Sequence, residues 1–365
     1  MNRRYFIRKM ITAFKSLVML SLLPNVSMSN ASDNTANAPP HYNPLNGRDL
    51  RKISLKKQHH AAEGYINPLG PMHRSRFWKV MSWKLFHENR FKEHLNDQTV
   101  NPVSIDWEPI RRHRGLSITF IKHACVLIKD FNRYLLIDPV FSEFFWFIKD
   151  FTPMAFDSDS MPKPDHVLIT HGHYDHLDTS TLETLKPGTH MITPLGYNDI
   201  FRDLDLKNRT QLDWYDTYRD GKRSIILLPC NHWTMRNPLT GPNRSLWGSY
   251  LIKTADGYTI YISGDSAYFD GFEQIGNDFD IDLAIFNLGA YEPRWFMAQS
   301  HMNPREVVQA FRELNAKKLM IVHWGTFRLG DEPVHFPPIQ IEQELKKENL
   351  LDRWVVLNHG QTLYL

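Results

Sequence analysis

Apolar residues in this chain come mostly in short runs separated by polar turns, and the period of each run predicts its element. Residues 117–120, 126–129 and 134–138 alternate or run apolar as strands, with residues 130–133 as the turn between the second and third. Residues 167–170, 224–229 and 318–322 read as further buried strands. Residues 250–254 and 258–263 flank Asp256-Gly257, the strongest short hairpin signal in the chain. Strands are also predicted near 354–357 and over 362–365. Asn303, Pro304 and Glu306 open a helix as cap, first-turn proline and first-turn acid, with Val307, Val308, Phe311 and Leu314 on its buried face. A second helix is predicted over 339–350. Strands grouped in each half, with helices after them, suit an α/β fold of two sheets sandwiched between helices.

The residues that end these strands carry the chemistry. The run 167–170 delivers His171-x-His173-x-Asp175-His176. Residues two apart on an extended approach point the same way, so His171 and His173 can grip one metal ion, while Asp175 and His176 turn toward a second. The strand at 224–229 leads to His232, a third nitrogen for the first metal. The strand at 258–263 leads to Gly264-Asp265, where glycine permits a tight turn and the carboxylate can bridge both ions. The strand at 318–322 delivers His323. Neutral imidazole and carboxylate oxygen suit zinc, and two ions close together can share one hydroxide, so the pattern proposes a two-metal hydrolase. His123, after the first strand, is expected to support a ligand from behind. The histidines at 59, 60, 73 and 87 are expected to be solvated.

The order His-x-His-x-Asp-His, then His, Asp and His after successive strands, resembles the metallo-β-lactamase superfamily. The segments 246–249, 289–297 (Gly-Ala-Tyr-Glu-Pro-Arg-Trp-Phe-Met) and 323–327 are similar to the branch that hydrolyses N-acyl-phosphatidylethanolamine as a phospholipase D. The likeness runs from about Gly64 to the C-terminus. It implies a four-layer αββα sandwich and two Zn2+ per chain. One would sit on His171, His173 and His232, the other on Asp175, His176 and His323, with Asp265 between. It also implies a substrate-facing role for His301, and catalytic parts for Asp175 and Asp265. Where mammalian members carry Gln before that histidine, this chain has Ser300.

Charge adds an asymmetry. Residues 1–40 hold five Lys/Arg against one Asp/Glu, residues 41–100 eleven against five, and residues 101–365 27 against 34. A basic amino-terminal hundred on an acidic body suggests an anionic partner. No nucleic-acid-binding module is recognisable, whereas residues 77–86 mix bulky apolar groups with Lys79 and Lys84, as a segment lying among lipid headgroups does. Its alternative is a helix packed on the domain with its lysine stems snorkelling.

Residues 1–33 read as an export signal: Arg3, Arg4, Arg8 and Lys9 precede the apolar run 16–23. Arg3-Arg4-x-Phe6-Ile7 resembles a twin-arginine address, and an uncleaved membrane anchor is the alternative. Residues 34–46 read as a linker, 47–100 as a basic extension packing on the catalytic domain, and 101–365 as that domain. Two cysteines, Cys125 and Cys230, cannot form a disulfide framework. The expected protein is thus a zinc phosphodiesterase with a phospholipid substrate, exported to the periplasm or membrane periphery, and a possible homodimer. The alternatives are the same fold acting on another phosphodiester, a phosphate ester or a lactone, and a membrane-associated protein that uses zinc only structurally.

Overall fold

The computed structural model describes residues 42–70, 83, 88–142, 148–185, 187–202, 204–237 and 239–365. The segment read as an export signal, the linker up to residue 41, and Lys79, Lys84, His73 and His87 lie outside the described residues.

Strands β1 (Leu116–Lys122), β2 (Cys125–Asp130), β3 (Arg133–Ile137), β4 (His166–Leu168), β5 (His190–Pro194) and β6 (Arg209–Leu212) join the terminal β13 (Thr362–Tyr364) in one sheet ordered β13-β1-β2-β3-β4-β5-β6. Strands β7 (Thr217–Asp220), β8 (Arg223–Leu228), β9 (Ser249–Lys253), β10 (Thr259–Ile262), β11 (Leu283–Asn287) and β12 (Lys318–Val322) form the second, ordered β12-β11-β10-β9-β8-β7. Helices flank both sheets, giving the αββα sandwich. They are α1 (Leu50–Leu55), α2 (Trp107–Arg112), α3 (Thr179–Glu183), α4 (Phe272–Asp278), α5 (Arg294–Met297), α6 (Pro304–Glu313) and α7 (Phe336–Lys347).

Alternation sorts the side chains of the first sheet. Ile118, Phe120, Val126, Ile128, Leu135 and Ile137 join the core shared with the second sheet. Their neighbours Ile121, Leu127, Leu136 and Val167 join a separate core with Trp107 and Ile110 of α2 and Leu182 of α3. Burial on both faces explains why these strands read as apolar runs. Asn303 caps α6 as its sequence predicts, in a reciprocal capping box with Glu306.

Parallel pairing brings the ends of β3 and β4 level, with Ile137 opposite Leu168, and those of β11 and β12 level, with Asn287 opposite Val322. Asp138, Thr170 and His323 therefore emerge from neighbouring strand ends on one rim.

Three expectations need correction. The predicted strand at 354–357 is reduced to a single bridge between Trp354 and Leu319. The 3-10 turn Leu351–Arg353 delivers the chain to the edge of β12 for one pairing only. The last long helix starts at Phe336 rather than residue 339, because Pro337 and Pro338 fall in the first turn, where a missing N–H costs no intrahelical bond. His59 is not solvated but fully buried, and His60 is half-buried. His59 stacks on Trp214, ring centroids 4.1 Å apart. Its Nε2 lies 2.6 Å from Asp213 Oδ1, and His60 Nε2 lies 2.8 Å from Oδ2. Lys57 Nζ at 2.6 Å and the Trp214 N–H at 2.8 Å also donate to this carboxylate. Asp213 is thus saturated by proton donors and acts as a clamp for the extension. Leu45, Leu50, Ile53 and Leu69 of the same stretch are part of the main core.

Candidate metal centre

The segment after β4 runs through Ile169 and Thr170 into the histidine cluster and ends where Asp178 caps α3. Asp138, just past β3, fixes its course by accepting from the Thr170 N–H at 2.7 Å and hydroxyl at 2.6 Å. From this frame the structure gathers all nine residues singled out in the sequence. His171, His173, His232 and Asp265 form one group whose ligand atoms lie within 4.8 Å of one another, and Asp175, His176, His323 and His123 form another. Asp265 Oδ2 is 3.2 Å from His176 Nε2 and 3.7 Å from His171 Nε2, and Oδ1 is 3.3 Å from His323 Nε2, so this carboxylate stands between the groups. His301 Nδ1 lies 3.8 Å from Asp265 Oδ2, and its ring is 5.7 Å from that of His232.

The outer nitrogen of each of three rings is committed, which leaves the inner lone pair free. His176 Nδ1 donates to Asp138 Oδ2 at 2.8 Å, and His232 Nδ1 donates to the Ser300 carbonyl at 3.1 Å. His171 Nδ1 donates to the Thr170 hydroxyl at 3.0 Å, which itself donates to Asp138. Fixing the tautomer this way is what ligand histidines require. The inner nitrogens then face one another: His171 Nε2 and His232 Nε2 stand 2.9 Å and 3.3 Å from His173 Nδ1, and His323 Nε2 stands 3.1 Å from His176 Nε2. Protons cannot satisfy so many converging lone pairs, whereas a cation can.

The charges agree. Burial drives His171 and His232 well below the usual imidazole range, and takes His173 and His301 down to about 4. Burial would raise Asp175 and Asp265, but His176 and the other imidazoles hold both well below the usual carboxylate range. His176 goes the other way: burial would lower it, but Asp265 and Asp175 push it well above. Burial keeps His171, His173, His232 and His301 neutral while both carboxylates stay ionised, and the one ring they hold protonated, His176, does not balance two negative charges. Further positive charge is called for, and the donor set suits zinc or another borderline divalent ion.

His123 Nε2 lies 3.2 Å from Asp175 Oδ2, in a position to support that carboxylate. Three contributors had no sequence signal of their own. Asp138 orders two of the rings, Asn287 donates to Asp265 Oδ1 at 2.9 Å, and Gly289 permits close approach, since a Cβ there would meet the His323 carbonyl at 2.2 Å. A cavity of about 190 Å³ opens onto the centre, touching His173, Asp175, Asp265 and His301 on one side and Trp233, Phe296, Met297 and Leu329 on the other. Phe296 and Met297 belong to the segment 289–297 that carries the family likeness, and both line this cavity. Trp295 does not, and instead packs edge-on against Trp83 at 6.2 Å.

Residues 133–324 match the family model described as the beta-lactamase superfamily domain. The N-acyl-phosphatidylethanolamine-hydrolyzing phospholipase D 1 of Caenorhabditis elegans is 28% identical over 307 residues, covering 78% of this chain and 86% of its own length. The mitochondrial N-acyl-phosphatidylethanolamine-hydrolyzing phospholipase D of Saccharomyces cerevisiae is 32% identical over 257 residues, 67% of this chain and 55% of its own. A possible metal-dependent hydrolase from Veillonella parvula shares the fold, with a TM-score of 0.57 at 17% identity over 68% of this chain and 99% of its own.

Proposed function

The chain belongs to the β-lactamase superfamily as a metal-dependent hydrolase, and from that premise we propose that it is a two-zinc phosphodiesterase of phospholipase D type. In this reading it releases N-acylethanolamine and phosphatidic acid from N-acyl-phosphatidylethanolamine. The observation that carries the reading is the union of an apolar wall, Trp233, Phe296, Met297 and Leu329, with an anion-attracting centre in one cavity. Such a cavity suits an ester whose charged phosphate is flanked by long apolar chains. The two relatives named for this activity support the same choice.

His171, His173 and His232 would hold one ion and Asp175, His176 and His323 the other, with Asp265 between them. Divalent cations bound there supply Lewis acidity toward phosphoryl oxygens and lower the pKa of water to about 7. The protein's own part is geometric and electrostatic. Asp138, Thr170 and the Ser300 carbonyl fix the rings so that nothing reorganises during the reaction. Asp175 and Asp265, both ionised, orient the attacking water and accept its hydrogen bonds. His301 lines the cavity as a neutral ring and donates its single N–H to a phosphoryl oxygen. Its backbone is held by Arg294, whose Nη1 donates to the His301 carbonyl at 2.9 Å. The apolar wall excludes competing water from the leaving side. Purified protein offered a panel of phospholipids, a lactone and a cyclic nucleotide is expected to hydrolyse the N-acylated phospholipid; turnover of the lactone alone would overturn the substrate assignment.

The basic extension is proposed to dock on an anionic membrane. Among the described residues no helix is long and apolar enough to cross one. Changing Lys79 and Lys84 together to Glu is expected to weaken binding to anionic vesicles at low salt by on the order of 1 kcal/mol per residue. Unchanged binding would leave the packed-helix alternative standing. Export is proposed to follow from Arg3 and Arg4: changing both to Lys is expected to move activity from the periplasmic to the cytoplasmic fraction. Wild-type chain found only in the cytoplasm would refute that address.

A further inference from the structure

Two loops support most of the apolar wall, residues 288–293 leading into α5 with Phe296 and Met297, and residues 328–334 with Leu329. They are tied to each other. The Asp331 N–H donates to the Glu292 carbonyl at 2.9 Å, and the buried Glu332 carboxylate accepts from the Tyr291 and Glu292 N–H groups, each at 3.1 Å. Both loops are also gripped by the extension. Trp83 Nε1 donates to Asp331 Oδ2 at 2.9 Å, Asn89 Nδ2 donates to the Asp331 carbonyl at 2.8 Å, and the Arg90 guanidinium pairs with the Glu292 carboxylate. The Trp83 ring is buried, 5.8 Å from Phe296 and tilted by 43°. Trp83 is not itself among the residues lining the cavity, whereas Phe296 is. Its indole backs one loop through Phe296 and its N–H holds the other through Asp331.

We propose that Trp83 is a positioning residue that sets the apolar wall of the cavity, and so determines how strongly the site prefers a phosphodiester bearing long apolar chains over a small soluble one. The proposal rests on the phospholipase reading. It differs from a purely structural role because Trp83 contacts the segments that carry the wall, while the candidate ligands stand on other strand ends. Loss of Trp83 therefore affects the two substrate classes unequally.

The test uses full-length, metal-loaded protein with N-acyl-phosphatidylethanolamine in mixed micelles and with bis(4-nitrophenyl) phosphate in solution. In W83A the KM for the lipid is expected to rise about tenfold with kcat little changed, since misplacing a binding wall costs uniform binding rather than chemistry. kcat/KM for the soluble diester is expected to stay within about twofold, as its two short aryl groups depend far less on the wall than long acyl chains do. W83F keeps a ring against Phe296 but loses the N–H to Asp331, so it falls between; if W83A does not fold, its selective loss on the lipid carries the test. Parallel losses on both substrates in folded protein, or no loss on either, overturn the role of Trp83 while leaving the phospholipase reading intact. Wild-type protein that cleaves the soluble diester and no lipid overturns that reading, and the inference with it.

Discussion

Replacing Asp265 by asparagine is expected to lower hydrolysis about a thousandfold, equivalent to roughly 4 kcal/mol of lost stabilisation, and to reduce bound metal. The Asp265 carboxylate stands between the two ligand groups, within 3.9 Å of His171, His176, His232, His301 and His323. Asparagine is nearly isosteric, so the fold survives, but the amide brings no charge and presents N–H groups where a cation is wanted. Burial makes the loss large, because water cannot replace the missing charge. Metal content by elemental analysis and turnover together check this. Wild-type values for both would show that Asp265 neither bridges nor holds a metal.

The second large effect is expected away from the ligands. Asp138 touches no candidate metal position, yet it accepts from His176 directly and from His171 through the Thr170 hydroxyl. Asp138→Asn replaces an anionic acceptor by an amide and loosens both tautomers, and metal affinity is expected to fall by about 10- to 100-fold. Activity should recover when the metal concentration is raised, as it would not for a lost ligand. Competition with a chromogenic chelator measures the affinity. An unchanged value would mean that the rings are ordered by packing alone.

The candidate metal ligands were legible in the sequence because ligand chemistry restricts residue type, and because these residues follow apolar runs that mark strand ends. The hairpin at Asp256-Gly257 and the cap at Asn303 were legible for a similar reason: a local conformation demands a particular residue. Asp138, Asn287 and Gly289 were not. Their roles depend on which strand ends lie side by side, and pairings such as β3 with β4 and β11 with β12 leave no mark in local sequence. His59 and His60 misled because a histidine pair among lysines looks solvated until Asp213, more than 150 positions away, is brought against it. The strand expected at 354–357 failed because apolar alternation says nothing of how much edge a neighbouring strand offers.

The central claim is that water, activated in this centre, attacks the phosphorus of an N-acylated phospholipid. Hydrolysis in H2(18)O, with products resolved by mass spectrometry, tests it most directly. One 18O atom is expected in the phosphate of phosphatidic acid and none in the N-acylethanolamine, with loss of both products on treatment with a chelator. Label in the N-acylethanolamine hydroxyl or in a released fatty acid, or undiminished turnover in metal-free protein, would contradict it.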